Sequence, residues 1–463
     1  MIVPRNRLLL WAGIVLVPFA LLGSVDPALV PVSLIAISGF LVVVGIDGLL
    51  AARGWRGILI ELPATARMSQ DRPSQIEVKI RNTRQRAQSL RLALALPREI
   101  ESSQEDFRIR VPAGSEWSRV FWPCIPRRRG SYPVTTTCLE TSSPMGFFSA
   151  RSTQKAATEL RVYPNLAEDR KQLAALFLNR GAFGLHAQRQ VGKGREFEKL
   201  REYVPGDGFD EIHWKATARR GRPITKVFQI ERTQEIYVIL DASRLSARKV
   251  LRRGSAVAED VGEARRMKPQ TGLSETTILE RYITAALVLG LAAEQQGDLF
   301  GLLTFSNGID GFLRAYNGKS HYNACRDALY TLQPKIVSPD YDELSTFIRL
   351  RLRRRALLVF LTSLDDPVLA QSFVRNLDLV CRQHLILVNM IQPPGVAPLF
   401  TNQAVASVDD LYAQLAGHLQ WQKLGALEKV LKRRGVQFSL LENERLSADL
   451  VSQYLRVKRR QLL

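Results

Sequence analysis

Three short stretches carry oxygen ligands at spacings that could hold a metal. Leu240-Asp241-Ala242-Ser243-Arg244-Leu245-Ser246 closes an apolar run with a carboxylate and hydroxyls, and Gly318-Lys319-Ser320 and Thr362-Ser363-Leu364-Asp365-Asp366 offer further oxygens. Hard donors such as Asp241, Ser243, Ser320 and Asp365 suit Mg²⁺, with water and a partner's carboxylate completing the shell. Asp241 and Ser243 could equally cap the turn that follows their strand. A second cluster is denser, because residues 194–219 hold Arg201, Glu202, Tyr203, Gly206, Asp207, His213, Trp214, Lys215 and Arg219. Its opposite charges (Arg201 and Glu202, Asp207 and Lys215, Asp210 and Arg219) predict a polar network pinned by Tyr203 and Trp214, suited to docking a domain or a partner. A metal-dependent hydrolase would instead use His213, Asp207 and Asp241. No Ser or Cys nearby has an activating context, and Gly192-Lys193-Gly194 lacks the phosphate-loop pattern, so the stretch reads as a docking element and the chain as a non-enzyme.

These residues need elements to place them. From residue 235 onward, apolar runs of strand length (236–240, 299–305, 309–314, 356–361, 385–391, 436–441) alternate with helical patterns (277–296, 322–332, 341–353, 367–382, 408–434, 447–457). That alternation predicts a doubly wound α/β domain with a mainly parallel sheet, whose ligands collect at the carboxyl ends of the strands. All three oxygen-bearing loops are expected at that edge. The tight Ser306-Asn307-Gly308 turn predicts one antiparallel edge strand. Residues 247–275, with seven basic and four acidic side chains and no steady period, read as an insertion.

Residues 58–164 alternate with period two. Ile76, Val78 and Ile80 interleave with polar residues, Leu90, Leu92, Leu94 and Leu96 do the same, and Pro, Gly, Asn and Ser turns separate the runs. An all-β, immunoglobulin-like sandwich is expected, without a catalytic constellation. Its basic run Arg127 to Arg129 reads as a solvated strand edge.

Residues 8–25 and 28–46 carry no charge, and Asp26-Pro27 separates them. Each run approaches the roughly 20 residues a helix needs to cross the hydrocarbon layer, so a two-helix transmembrane hairpin is expected. Arg5 and Arg7 before it, with Arg53 and Arg56 after it, place both ends in the cytoplasm. A cleaved signal peptide is the alternative, disfavoured by the second apolar run. Asp47 is expected as a solvated residue at the inner interface. The domain order is then 1–57 hairpin, 58–165 sandwich, 166–234 linker with the dense polar stretch, and 235–463 α/β domain.

The chain has 463 residues and a net charge of +21, which suits nucleic acid, an anionic bilayer or an acidic partner. Its basic clusters lack the aromatic interleaving of a single-strand binder, which disfavours nucleic acid, whereas a chain held against an anionic leaflet gains from dispersed cations. Four scattered cysteines without CxxC spacing fit free thiols in a reducing compartment.

The run from Gly194-Arg195-Glu196-Phe197 through Arg201-Glu202-Tyr203 and Gly206-Asp207 to Trp214-Lys215-Ala216-Thr217-Ala218-Arg219 resembles the signature of the DUF58 family of bacterial membrane-anchored proteins. The part from Glu235 onward resembles a von Willebrand factor type A domain. That family holds a divalent metal on a D-x-S-x-S loop, a Thr and an Asp; here Asp241 and Ser243 match, Leu245 replaces the second Ser, Ser320 stands in for the Thr, and Asp365 lies two residues beyond the position of the Asp. Together the resemblances imply two spans in the bacterial inner membrane, a cytoplasmic soluble part, and an adaptor for a MoxR-type AAA+ ATPase, or a client, in complex assembly or maturation.

Overall fold

The computed structural model describes residues 1–54, 57–83, 87–114, 117–179, 191–204, 208–209, 212–229, 234–253, 273–399 and 407–460. The chain divides into two compact units, one formed by the described residues up to Asn165 and the other by those from Leu166 onward.

The first unit opens with a short strand, β1 (Ile2–Pro4), and two apolar helices, α1 (Asn6–Val25) and α2 (Val30–Ala52), joined by one 3-10 turn at Pro27–Leu29. Asp26 caps that turn by accepting from Ala28 N at 2.9 Å, and Pro27 follows it, where a missing N–H costs nothing. One helical stretch, Pro27–Ala52, is long and apolar enough to cross a membrane. Strands follow: β2 (Ile58–Glu61), β3 (Thr65–Ser69), β4 (Ser74–Asn82), β5 (Gln88–Leu94), β6 (Ile100–Glu101), β7 (Phe107–Val111), β8 (Trp117–Pro126), β9 (Gly130–Ser142) and β10 (Phe148–Tyr163). They form two sheets, β1-β10-β9-β5-β7 with β3 parallel on β10, and β2-β4-β8-β6. The alternating residues Ile76, Val78, Ile80, Leu90 and Leu92 point into one core with Trp122, Val134, Leu139, Leu160 and Val162.

Asp47 and the basic run of this unit differ from expectation. Asp47 is buried and accepts hydrogen bonds from Ser143 Oγ (2.6 Å), Met145 N (3.0 Å) and Phe147 N (3.2 Å), so it caps the β9–β10 turn from inside α2 and is not a solvated interfacial group. The residues before α1 reach the same turn: β1 pairs with β10, and Arg5 donates to Phe147 O and Ser142 Oγ, each at 2.8 Å. Of the basic run only Arg128 is exposed. Arg127 bridges Glu101 at 2.8 Å and Asp71 at 3.4 Å, and Arg129 is buried.

The second unit begins with α3 (Ala167–Asn179), then β11 (Val191–Glu202), α4 (Trp214–Arg220) and β12 (Ile224–Gln229). The α/β elements are β13 (Glu235–Asp241), β14 (Lys249–Arg253), β15 (Leu273–Thr277), α5 (Ile278–Gln295), β16 (Leu299–Phe305), β17 (Ile309–Tyr316), α6 (Lys319–Leu329), α7 (Tyr341–Arg351), β18 (Leu357–Leu361), α8 (Pro367–Val380), β19 (Leu385–Ile391), α9 (Val408–Arg433), β20 (Gln437–Leu441) and α10 (Leu446–Arg459). The main sheet runs β17-β16-β13-β18-β19-β20, parallel except for the edge strand β17. Central strands β13 and β18 are buried almost end to end, as a parallel strand covered on both faces must be. α5, α6, α10 and α3 contribute to the core on one face, and α7, α8 and α9 to that on the other. Local chemistry marks the helix starts. Thr277, Asp340 and Asp366 each accept from backbone N–H groups of the first turn, and Ser407 with Asp410 forms a capping box. Of the 247–275 insertion, β14 and β15 pair antiparallel, and the residues between them lie outside those described.

Candidate functional site

The chain leaves β13 towards β16 on one side and β18 on the other, so the sheet switches direction between β13 and β18. Asp241 ends β13, and Thr362 follows β18. Their side chains meet across the switch point, Thr362 Oγ1 donating to Asp241 Oδ2 at 2.6 Å while Ser243 N donates to Oδ1 at 2.8 Å. Asp241 and Ser243 are both fully buried. Burial pushes the Asp241 carboxyl above its ordinary range, against the lowering effect of the Ser243 and Thr362 hydrogen bonds. Asp365 is engaged from the other side: Arg248 Nη1 and Nη2 donate to its two oxygens at 2.5 and 2.8 Å. Burial alone would raise the Asp365 carboxyl, but the Arg248 hydrogen bond and charge outweigh it and hold it below its usual value.

Ser320 does not join this group. The antiparallel strand β17 carries the chain back past β16, with Phe300 opposite Tyr316, so Ser320 begins α6 at the amino edge of the sheet. Asp241 lies opposite Phe305 at the carboxyl edge, a strand's length of roughly 20 Å away at about 3.3 Å per residue. The hairpin that the Ser306-Asn307-Gly308 turn announces therefore removes the expected third ligand. The donors do not fit Mg²⁺ as arranged: both Asp241 oxygens accept hydrogen bonds inside a closed pocket, and both Asp365 oxygens hold a guanidinium. Among the described residues no cluster of three or more His, Cys, Asp or Glu side chains is placed to hold a metal. Beside Arg248 the carboxyl edge opens into a cleft of about 460 Å³ lined by Lys249, Ile278, Ser363, Met390 and Gln392.

The dense polar stretch folds differently from a buried network. β11 pairs antiparallel with β12, and α4 lies between them, its end fixed by Gly221 in the left-handed region (φ 66°). His213 caps α4: its Nδ1 accepts from Ala216 N at 3.0 Å, and its backbone N–H donates to Ile224 O at 2.7 Å. The ring therefore does a helix cap's work and not a general base's. Glu202 pairs with Arg222 at 2.6 Å. Tyr203 stacks on Phe209, with ring centroids 6.2 Å apart. Trp214 pins nothing, being 69% exposed, and Phe209 is 76% exposed. Around them Lys215, Arg219 and Arg220 also face solvent. Gly206, Asp207 and Asp210, and with them the expected pairs to Lys215 and Arg219, lie outside the described residues.

Arg248 and Phe209 carry no site signal of their own in the sequence, and Thr362, one of the loop oxygens, is the one that meets Asp241. Thr362 was visible as the first hydroxyl after a strand, whereas Arg248 sat in a stretch with no pattern. Burial pushes the Cys124 thiol up to about 11 and that of Cys325 up to about 12, so neither of these two offers a nucleophile.

The model of a family described as "Protein of unknown function DUF58" matches residues 199–256, which run from β11 through α4 and Asp241 to β14. No curated protein matches the chain. Among solved structures, the chain is similar to the SpRpn10 VWA domain, at 9% identity, covering 48% of this chain and 95% of that one with a TM-score of 0.27. It is also similar to proximal thread matrix protein 1 of the mussel byssus, at 12% identity over 48% of this chain and 46% of that one with a TM-score of 0.24. Trypsin-activated alpha-2-macroglobulin from Escherichia coli shares 14% identity over 34% of this chain and 9% of that one, with a TM-score of 0.18. Similarity at these TM-scores carries no argument about this chain, and its α/β architecture is read from its own strand order.

Proposed function

We propose that this chain is a membrane-anchored interaction module in which the β11–α4–β12 element docks a partner protein. One observation carries the reading: the segment matched by the family model holds Trp214 and Phe209 mostly out in solvent, Phe209 with only the Tyr203 ring stacked on it. Large aromatics of this kind dominate binding energy at protein interfaces, and the neighbouring Lys215, Arg219 and Arg220 suit an acidic rim on the partner. The resemblance to the DUF58 family implies a MoxR-type AAA+ ATPase as that partner and an adaptor's role in assembly or maturation. With Asp241 closed over and Arg248 holding Asp365, contact does not need a metal on the type A-like domain.

For anchoring, Pro27–Ala52 crosses the inner membrane and α1 returns beside it, leaving the remainder of the chain in the cytoplasm. Two contacts favour the hairpin over a cleaved signal. The strand before α1 pairs with β10, and Asp47 near the end of α2 caps the β9–β10 turn, so both flanks of the pair attach to one sheet. Cleavage behind the first apolar run would strip the sheet of β1.

Affinity purification of the full chain from detergent-solubilised membranes is expected to recover the ATPase, and Trp214→Ala combined with Phe209→Ala to lose it at least tenfold. Undiminished recovery by that double variant would sink the docking surface, and release of the chain from membranes by alkaline carbonate would sink the anchor.

A further inference from the structure

α9 is a 26-residue helix with two apolar faces. One face is held by the domain: Gly417, Leu424 and Leu431 are buried, seven residues apart, and Leu424 and Leu431 enter the core beneath the sheet. Gly417 fixes the rotation. A Cβ there would lie 2.0 Å from the carbonyl oxygen of Gly395, so the helix backbone sits directly on that loop and cannot turn about its axis. The other face is therefore held outward. It carries Val408, Tyr412, Leu415, Leu419, Ala426 and Val430, whose large members are between 40% and 68% exposed, with exposed Gln422 and Lys423 filling one polar turn between Leu419 and Ala426. A domain rarely leaves about three unbroken turns of such a stripe, Val408 to Leu419, in water.

We infer that this stripe is a self-association face on which α9 of a second copy of the chain packs antiparallel, centred on Leu419. Val408 and Val430 are equidistant from Leu419, and so are Tyr412 and Ala426. An antiparallel pair thus sets valine level with valine and the largest side chain of the stripe level with the smallest, with Leu419 facing its own copy. Charge selects the same alignment. The helix starts with Asp409 and Asp410 and ends with Lys429, Lys432 and Arg433. Antiparallel pairing sets Asp409 of one copy level with Lys429 of the other and, despite Glu428 opposite Asp410, brings the acidic start near the cations at the helix end, whereas parallel pairing sets like charges side by side. The same acids argue against a bilayer as the occupant, since Asp409 and Asp410 at the head of the stripe would meet the negative inner leaflet.

The test uses the full chain in lipid nanodiscs or mild detergent, with Cys138→Ser and Cys381→Ser removing the thiols that are not buried. Mass measurement is expected to find two copies, and Leu415→Glu with Leu419→Glu to weaken association at least tenfold. On oxidation Leu419→Cys is expected to cross-link to its own copy. Val408→Cys alone is not, but Val408→Cys together with Val430→Cys is. A single copy at all concentrations overturns the proposal, as does self-cross-linking of Val408→Cys, which would mean parallel pairing. So does a glutamate double variant that loses retention on anionic vesicles but keeps its mass. The outcome is independent of partner docking through Trp214, which that double variant leaves intact.

Discussion

Arg248 and Asp365 face each other as a two-point ion pair at the carboxyl edge of the sheet, with hydrogen bonds of 2.5 and 2.8 Å between residues 117 positions apart. The pair puts a fixed organic cation where the resemblance to type A domains would place an inorganic one. It also ties the strand-like insertion at β14 to the loop after β18.

Breaking this pair is expected to cost about 1–2 kcal/mol, since the guanidinium is partly exposed and solvent screens it while the hydrogen bonds are charge-assisted. Asp365→Asn should lower the urea midpoint by that amount at pH 7. Its contribution follows a lowered carboxyl, so it is fully present above the ordinary carboxylate range and lost as pH falls through the lowered value. Wild type and variant should therefore converge as pH falls through the lowered value; a constant gap throughout acidification would refute the ion-pair account.

Asp241 carries the opposite sign. Burial raises its carboxyl, so its contribution is complete below the ordinary carboxylate value and fades as pH rises through the raised one. Asp241→Asn should be as stable as wild type at low pH and at least as stable at pH 8, because the neutral side chain can still bond with Thr362. Asp241→Ala, which leaves the Thr362 hydroxyl without this acceptor, should lose about 1–3 kcal/mol. Thermal melts of both variants at pH 5 and 8 read this directly.

A change of metal is expected to do nothing to the α/β domain. Addition of millimolar Mg²⁺ or of a chelator should leave the melting temperature of the full chain unchanged, since a ligand that binds only the folded state would raise it with concentration. A concentration-dependent rise that Asp241→Asn removes would show that Thr362 and Arg248 yield to the ion.

Asp47→Ala should loosen the β9–β10 turn, because Ser143 Oγ, Met145 N and Phe147 N lose their common acceptor. Leaving three donors without it in a buried site costs about 2–4 kcal/mol, and proteolysis in membranes should cut first near residues 143–147. Unchanged protection there would contradict the cap.

Gly417→Ala is expected to destabilise the domain by about 1–3 kcal/mol, through overpacking against the Gly395 carbonyl. Gly425→Ala, on the same helix with open space around it, should be neutral or slightly stabilising. A chemical-denaturation comparison of the two separates steric contact from helix propensity.

The sequence by itself determined the elements that periodicity and end chemistry encode. Residues 235–463 announce their strands and helices because each apolar run, each capping Asp or Ser, and the Ser306-Asn307-Gly308 turn act on near neighbours in the chain. The alternation of Ile76, Val78 and Ile80 fixes a buried sheet face for the same reason. The stretch around residues 191–229 hid its two strands, whose pairing depends on partners some thirty residues apart and on no local alternation. Only the tertiary structure decided the fate of the charges and the aromatics. Whether Asp47 meets water or the Ser143 hydroxyl, whether Asp365 meets an ion or Arg248, and whether Trp214 is packed or displayed each depends on a contact between segments distant in the chain. Ser320 shows the cause most plainly: a single antiparallel strand, correctly expected, returns the chain to the far edge of the sheet, and strand direction, more than composition, sets which side chains share a site.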